Sequence, residues 1–523
     1  MSATGRIATG GGRRWAGWLT TALLALALLP LLLKVPAAAS FTGAILAYPF
    51  QVDDSEGVVL SEAHWLARGV DPYQPVRPDF FTAAPYTPIY TLLNALAFAI
   101  GPFTFKVGRG IALLATLAIA GTIGLLVRRR SGSLPLALWA TLATLTLNLV
   151  SVWSVRARPD HLALALNLAG VALVYHRWAE LGVAGPTGRW GLARGETRLL
   201  WQVAGLCALG FFTKQTLLAA PLAIGICLLV KRLRLGLAFG LLYGALVLIP
   251  FGLLILLTRG GFYQHIVAFH SSWSWHEYWR LSQPFLARYW PLLLAACGLP
   301  LALAALALRA ARPLAQLRDD RDLLPAVYLG AATFFGLGAG THGGNHNHFV
   351  ETVVVAVWCA ALLIGRGLAA PRWRVVTPLA LLVLAATLGL EARLAAPNWL
   401  ARDFRRPLPL EVEGWRNIAA FVTNDPGPVY SDNVGLLLIA GKEVRYTDPF
   451  SLAFAVRTGQ WDDRALVAQV ERGEFSLIAL RYDIFAESSA GGAADDLTAG
   501  LYEAIRAHYR VVERNVMILY APR

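Results

Sequence analysis

The 523 residues are 56% hydrophobic and only 15% charged, with a mean hydropathy of +0.53, which leaves too little polar surface to cover a water-soluble globule. The formal net charge of +14 would suggest a nucleic-acid partner if the cations were gathered in one soluble region, but they are dispersed between apolar runs. Cys207, Cys227, Cys297 and Cys359 lie inside such runs without Cys-x-x-Cys spacing, which argues against a disulfide framework and against thiolate-bound metal.

Apolar runs near the ~20 residues that a bilayer core demands predict about eleven membrane spans. In chain order they fall at residues 15–36, 108–127, 133–152, 159–176, 199–213, 215–230, 235–257, 289–308, 323–340, 349–365 and 375–391. The first follows Arg13 and Arg14 without a convincing small-residue cleavage site, so it is expected to stay as a signal anchor. Short loops carrying Arg128, Arg129 and Arg130, then Lys231, Arg232 and Arg234, then Arg366, Arg372 and Arg374 fall on the same side as the N-terminus. Basic short loops mark the cytoplasmic face, so the long loop 37–107 and the C-terminal tail are expected outside. This topology requires the apolar stretch Tyr86–Phe103 not to cross, because crossing would turn Arg128–Arg130 outward. It is expected to rest in the outer interface, as is Asp54–Gly69, whose Val58, Val59, Ala63 and Leu66 share one helical face.

From Asn398 the composition becomes that of an ordinary globular domain, and the apolar runs shorten to strand length. Strands are expected at Val429–Ser431, Val444–Thr447, Ser476–Leu480, Tyr509–Glu513 and Val516–Tyr520, with helices at Trp415–Val422, Arg464–Arg472 and Leu497–His508. The chain is therefore expected to be mainly α. A polytopic helical bundle with two juxtamembrane helices (residues 1–397) precedes a small extracytoplasmic α/β domain (398–523). The latter shows no Gly-rich phosphate loop, nucleophile elbow or metal-ligand spacing.

The remaining ionisable residues gather at the outer ends of the spans. Burying a charge at the bilayer centre costs about 2.5–3.5 kcal/mol on insertion scales, so their clustering asks for a function. Asp53, Asp54 and Glu56 open the first interfacial helix, where the helix dipole favours acids. Three acids within four positions exceed the needs of one cap, and one of them can act as a general base. Arg158 and Asp160 start a span, as a snorkelling arginine and an N-terminal aspartate would. Lys214 sits between two apolar runs with almost no loop, at a depth that suits a lipid phosphate. Asn345, His346, Asn347 and His348, ending near Glu351, can line a polar substrate or, through the two histidines, hold a divalent cation. His265, His270, Trp273, Trp275, His276, Tyr278 and Trp279 suit an interfacial aromatic belt or a stacking surface for sugar or isoprenoid.

A family resemblance follows from these residues taken in order. It rests on Asp53-Asp54-Ser55-Glu56-Gly57, Leu66-Ala67-Arg68-Gly69, Pro72-Tyr73 and Pro85-Tyr86-Thr87-Pro88-Ile89-Tyr90. It continues through Arg158-Pro159-Asp160, Thr213-Lys214-Gln215-Thr216 and Gly344-Asn345-His346-Asn347-His348-Phe349-Val350-Glu351. Together these resemble the GT-C glycosyltransferases, close to the family 39-like and RgtA/B/C/D-like bacterial members.

The resemblance implies an inverting transfer of a sugar from a polyprenyl-phosphate donor to a hydroxyl of a glycan, lipid or protein. The reaction would take place at the outer face of the bacterial cytoplasmic membrane. The general base would be Asp54, Asp53 or Glu56. Arg158, Lys214, His346 and His348 would hold the donor phosphate, and Tyr86, Tyr90, Asp160, Gln215, Asn345, Asn347 and Glu351 would line the substrate. Many relatives carry an adjacent Asp-Glu pair, whereas Ser55 separates Asp54 from Glu56 here. Asp54 is preferred because it directly precedes the helix, with Asp53 the alternative. No metal ligands are assigned, a divalent cation being the one cofactor the histidines would allow, and no nucleic acid is expected. The competing readings are a transporter or flippase of lipid-linked substrate and a non-catalytic envelope-assembly subunit. A transporter would carry ionisable groups toward the midplane and often internal repeats, neither of which the sequence shows.

Overall fold

The computed structural model describes residues 10–181, 192–270, 272–369, 405–486 and 497–523, with isolated positions between 381 and 389. The helices of the first part are α1 (Gly10–Ala47), α2 (Asp54–Leu66), α3 (Pro88–Ile100), α4 (Phe105–Ser131), α5 (Leu134–Thr146), α6 (Asn148–Trp153), α7 (Asp160–His176) and α8 (Arg194–Thr213). They continue with α9 (Ala219–Lys231), α10 (Leu233–Leu257), α11 (Gly261–Ile266), α12 (Trp275–Leu308), α13 (Pro313–Asp319), α14 (Leu323–Phe335) and α15 (Val350–Ala369).

Among the described residues, 6 stretches are long and apolar enough to cross a membrane: Ala22–Ala47, Phe105–Ser131, Leu233–Leu257, Trp275–Leu308, Leu323–Gly340 and His346–Ala369. The other expected spans correspond to shorter or less apolar helices. The one at 133–152 is divided, because Leu147 takes an extended conformation (φ −62°, ψ 128°) between α5 and α6. The one at 289–308 starts much earlier, since the Ser274 hydroxyl accepts from the Glu277 amide and caps a 34-residue helix. Trp275, His276, Tyr278 and Trp279, expected in a loop, are therefore helical. The span expected at 375–391 lies largely outside the described residues.

α15 is buried on every side from Val350 to Gly365, as an apolar helix at the centre of a bundle must be. It packs on α12, α14, α4 and α5. By contrast, α10 buries only Leu235, Gly236, Phe239 and Val247 and turns the rest of its apolar surface outward, which suits lipid. Polar clusters mark the two ends of the bundle. At one end Asp322 accepts from Tyr175 (2.6 Å), Arg366 (2.7 Å) and Arg130 (3.0 Å). Asp160 at the start of α7 and Tyr175 near its end place the cluster around Asp160 at the opposite end.

The two helices of the first loop differ from each other. α3 buries Tyr90, Thr91, Asn94 and Ala95 and exposes Leu92, Leu93, Leu96 and Ile100. At 13 residues and about 1.5 Å per residue it is too short to cross a hydrocarbon core of about 30 Å. α2 was expected to present one apolar face to the interface. Instead Glu56 through Ala63 and Trp65 are all buried, because α2 is enclosed between α3 and the C-terminal part.

That part contains α16 (Pro409–Asn424), β1 (Val429–Ser431), α17 (Val434–Ile439), α18 (Pro449–Arg457), α19 (Arg464–Glu471), β2 (Leu477–Leu480), α20 (Ala499–His508), β3 (Tyr509–Arg514) and β4 (Ile518–Pro522). The sheet order is β1-β2-β4-β3, with β1 parallel to β2 and the other pairs antiparallel. The strand expected at Val444–Thr447 is not in this sheet. That segment pairs with the first loop: the Phe81 amide donates to Arg445 O (3.1 Å) and the Thr447 amide to Phe81 O (2.9 Å). α17 and α18 had not been anticipated. The two parts share apolar cores, one joining Phe81 and Phe269 to Tyr446 and Trp461, another joining Tyr48, Phe50 and Trp65 to Leu437 and Val422. The expected domain boundary at 397/398 falls outside the described residues.

Candidate active site

Four charged residues from three loops converge where α2, α7 and α8 meet. Asp53 caps α2, its Oδ1 accepting from the Ser55 amide at 3.0 Å. Arg158 Nη1 approaches Asp53 Oδ2 at 3.1 Å and donates to Ser55 Oγ at 2.9 Å, while its Nη2 donates to the Tyr86 hydroxyl. Arg158 Nε lies 3.6 Å from Asp160 Oδ2. Asp160 Oδ1 in turn receives Lys214 Nζ and, at 2.6 Å, Asn347 Nδ2. Lys214 directly follows α8, where its amide still donates to Gly210 O, so its ammonium is held at this depth by the helix end. Burial opposes the charge of Arg158, but the carboxylates of Asp53 and Asp160 outweigh it and hold the guanidinium protonated. Burial pushes the Tyr86 phenol well above its ordinary range, so it stays a neutral hydroxyl.

Asp54 faces away from this cluster. Its carboxylate is 67% exposed and pairs at 2.6 Å with Arg481, which directly follows β2. Arg481 is held by Asp432, which directly follows β1: the Arg481 amide donates to Asp432 Oδ2 at 3.0 Å and its Nε lies 3.3 Å away. The C-terminal ends of a parallel strand pair are where open α/β sheets present ligand-binding groups, and here they are aimed at α2. Sequence reasoning missed Arg481 and Asp432. They are separated from the first loop by some hundreds of residues, and only the strand pairing brings them to it.

Glu56 is different. Its side chain has 0% exposure, as does that of Arg109, with which it pairs at 2.8 Å. Its two oxygens also accept from the amides of Val52 (2.9 Å) and Ala157 (2.7 Å). Arg109 spends its other donors on the carbonyls of Ile45, Tyr48 and Phe50. With every lone pair engaged and no solvent, Glu56 is a structural clamp.

A cavity of about 760 Å³ is lined by Asp53, Asp54, Tyr86, Arg158, Lys214, Gln215, Asn345, Asn347 and His348. Its other walls are Phe211, Phe251, Ile266, Phe269, Phe450 and Phe454, with His270, Arg280, His342 and Asp448. His342 stacks on Phe450 at 4.3 Å. Burial raises the Asp448 carboxyl above its usual range, against hydrogen bonds from Ser451. A second cavity of about 720 Å³ shares Asp53, Asp54, Asn345 and Arg481 with the first, so the two meet at the aspartate pair.

Not all candidates face these spaces. The Tyr90 hydroxyl donates to Gly108 O at 2.8 Å, and Glu351 accepts from Tyr328 at 2.7 Å inside the bundle. Asp160 sits behind the first cavity wall, ordering Lys214 and Asn347. His346 keeps its Nδ1 3.2 Å from Asn345 Oδ1 and, unlike His348, is not on the wall. Among the described residues no three His, Cys, Asp or Glu side chains converge.

The architecture can be compared with solved structures. ArnT from Cupriavidus metallidurans, bound to undecaprenyl phosphate, matches with a TM-score of 0.55 at 15% identity over 94% of this chain and 97% of its own. The apo oligosaccharyltransferase of Archaeoglobus fulgidus matches with a TM-score of 0.59 at 11% identity, over 92% of this chain and 73% of its own. The chain has the GT-C fold. The archaeal oligosaccharyltransferase AglB of the same organism, in complex with an inhibitory peptide and a dolichol-phosphate, matches with a TM-score of 0.53 at 10% identity, over 98% and 75% of the two chains. No protein-family model matches the sequence, and no curated protein matches it. The GT-C fold makes sense of the apolar bundle, the buried first-loop helix and the docked C-terminal sheet as one unit.

Proposed function

We propose that the chain is a membrane glycosyltransferase that transfers a sugar from a polyprenyl-phosphate donor to an acceptor hydroxyl, with inversion at the anomeric carbon. The observation that carries this reading is the cavity joining the aspartate pair to Arg158 and Lys214 along one partly apolar wall. Its phenylalanine-rich side suits an isoprenoid, and its cations suit a phosphate. The fold likeness to ArnT and AglB, whose structures contain undecaprenyl phosphate and dolichol-phosphate, agrees with that assignment.

In this mechanism the acceptor lies in the second cavity and the donor sugar at the junction. A carboxylate of the Asp53–Asp54 pair takes the hydroxyl proton as the acceptor oxygen bonds to the anomeric carbon. The bond from that carbon to the phosphate oxygen breaks on the opposite face, its electron pair leaving with the polyprenyl phosphate. Arg158 and Lys214 receive the developing charge. Asp160, itself bound by Asn347, holds them in position beforehand, so little reorganisation accompanies the step. Confinement of the donor to the membrane surface supplies proximity. By the distribution of basic loops, the N-terminus is cytoplasmic and the C-terminal sheet lies outside a bacterial cytoplasmic membrane.

The test is transfer of a radiolabelled sugar from polyprenyl-phosphate donors to envelope glycan by the purified chain. Lys214→Ala should lower kcat by about 10²-fold. Undiminished transfer in Lys214→Ala, Asp53→Asn and Asp54→Asn alike would refute the assignment.

A further inference from the structure

The two cavities that meet at the aspartate pair have different chemistry. Away from the shared residues, the first combines five phenylalanines with polar and charged groups, among them Arg158, Lys214, Arg280 and three histidines. The second is walled by Arg156, Arg405 and Arg406 with Tyr48, Trp153 and Trp415. Arginine forks match carboxylate and phosphate groups bidentately, and aromatic faces cover apolar ring surfaces. The contact of Arg405 with Glu411 is at the surface, the two side chains being 55% and 34% exposed, so a ligand can exchange into it at small cost. Arg406 is exposed and has no acidic partner among the described residues. The platform is itself fixed: Trp415 stacks on Phe50 at 5.9 Å, and Phe50 O accepts from the buried Arg109 at 2.6 Å.

We infer that the acceptor is an anionic saccharide, a glycan bearing a carboxylate or phosphate group that Arg405 and Arg406 bind. Its ring rests against Trp415 while a hydroxyl reaches the aspartate pair. Aromatic and cationic groups line the same cavity, as a charged sugar chain requires and a neutral one does not. This inference rests on the donor occupying the first cavity, and the two can fail separately.

The experiment uses the full chain in nanodiscs of zwitterionic phosphatidylcholine. It is titrated calorimetrically with three oligosaccharides of equal length: neutral, uronate-containing and phosphorylated. At least one anionic oligosaccharide should bind about tenfold or more tighter than the neutral one, and added salt should erode the difference. Arg405→Gln combined with Arg406→Gln should erase that preference while leaving undecaprenyl phosphate binding intact. Lys214→Ala should do the reverse. Equal binding of all three saccharides, or a preference that survives the double substitution, overturns the inference. Loss of saccharide binding in phosphatidylglycerol nanodiscs overturns it too, by assigning the arginines to lipid headgroups. An anionic preference that persists while undecaprenyl phosphate binding ignores Lys214→Ala would sink the donor assignment alone.

Discussion

Replacing Glu56 and the two neighbouring aspartates separates folding from chemistry within four positions of the chain. Glu56 and Arg109 are wholly buried, and removing one partner of such a pair leaves the other charge uncompensated, at a cost of about 3–5 kcal/mol. Domain stabilities are typically about 5–15 kcal/mol, so Glu56→Gln should consume much of the margin. It should appear as a lower melting temperature and a smaller monodisperse fraction in detergent. Asp54 is 67% exposed and pairs with a partly exposed arginine, so Asp54→Asn should cost no more than about 1 kcal/mol. Loss of a general base lowers turnover by about 10²–10⁴-fold. Asp54→Asn should therefore melt close to the wild type and, where Asp54 is the base, transfer almost no sugar; Asp53→Asn, which takes a partner from the buried Arg158, should lower the melting temperature as well. Thermal unfolding followed by intrinsic fluorescence, paired with the radiolabel assay on the same preparations, reads both quantities. If Glu56→Gln melted with the wild type yet lost transfer, while both aspartate variants kept it, the buried pair would be the reactive group and the argument would be wrong.

Other consequences are open to measurement. A Cβ on Gly57 would lie 2.6 Å from the Gly435 amide nitrogen, so Gly57→Ala should force α2 and α17 apart at about 1–3 kcal/mol; faster proteolysis of the C-terminal part would report it. Arg481→Ala should lower kcat by about 10–100-fold through misplacement of Asp54, and Arg481→Lys should restore only part, since an ammonium cannot hold Asp54 and Asp432 in the same planar fork. Burial raises the Glu62 carboxyl well above its ordinary 4.5, against a hydrogen bond from Thr91. The folded state thus binds a proton that the unfolded state releases, and this contribution to stability falls as pH climbs above 4.5 toward the folded value. Glu62→Gln should flatten the dependence of melting temperature on pH over that window and raise it near pH 7; an unchanged slope would remove the assignment.

Much of the bundle is legible in the sequence because the bilayer imposes length and hydropathy on every span, whatever the packing. The positions of Arg128–Arg130, Asp322 and Arg366 at one end and of Arg158, Lys214 and Asn347 at the other follow from that constraint alone. The single stretch at 133–152 could not be resolved, since apolar content does not show where Leu147 breaks the helix. α2 misled for a related reason: helical periodicity identifies an apolar face but says nothing of what covers the opposite one. The cover is α17, a six-residue helix too short for periodicity to reveal. Val444–Thr447 has strand composition and does pair as a strand, yet its partner is Phe81 in the first loop. Of the site, the membrane-facing charges could be named because they are unexpected near lipid. Arg481 and Arg406 could not, because arginines in a soluble region are ordinary.

The hydrogen bonds of Glu56 explain why a carboxylate that cannot react would still sit inside the acidic motif. One oxygen accepts from the amide of Val52, the residue before Asp53, and the other from the amide of Ala157, the residue before Arg158. A single buried side chain therefore fixes the backbone on both sides of the contact between acid and cation, and Arg109 ties that clamp to the end of α1 through the carbonyls of Ile45 and Tyr48. Displacements of about 1 Å can cost a reaction 10²-fold, so a clamp at this point matters more to turnover than its share of stability suggests. The C-terminal sheet closes the same arrangement from the other side through Arg481. Apolar packing holds the aspartates between the helical bundle and the C-terminal sheet, and neither alone would keep them in place.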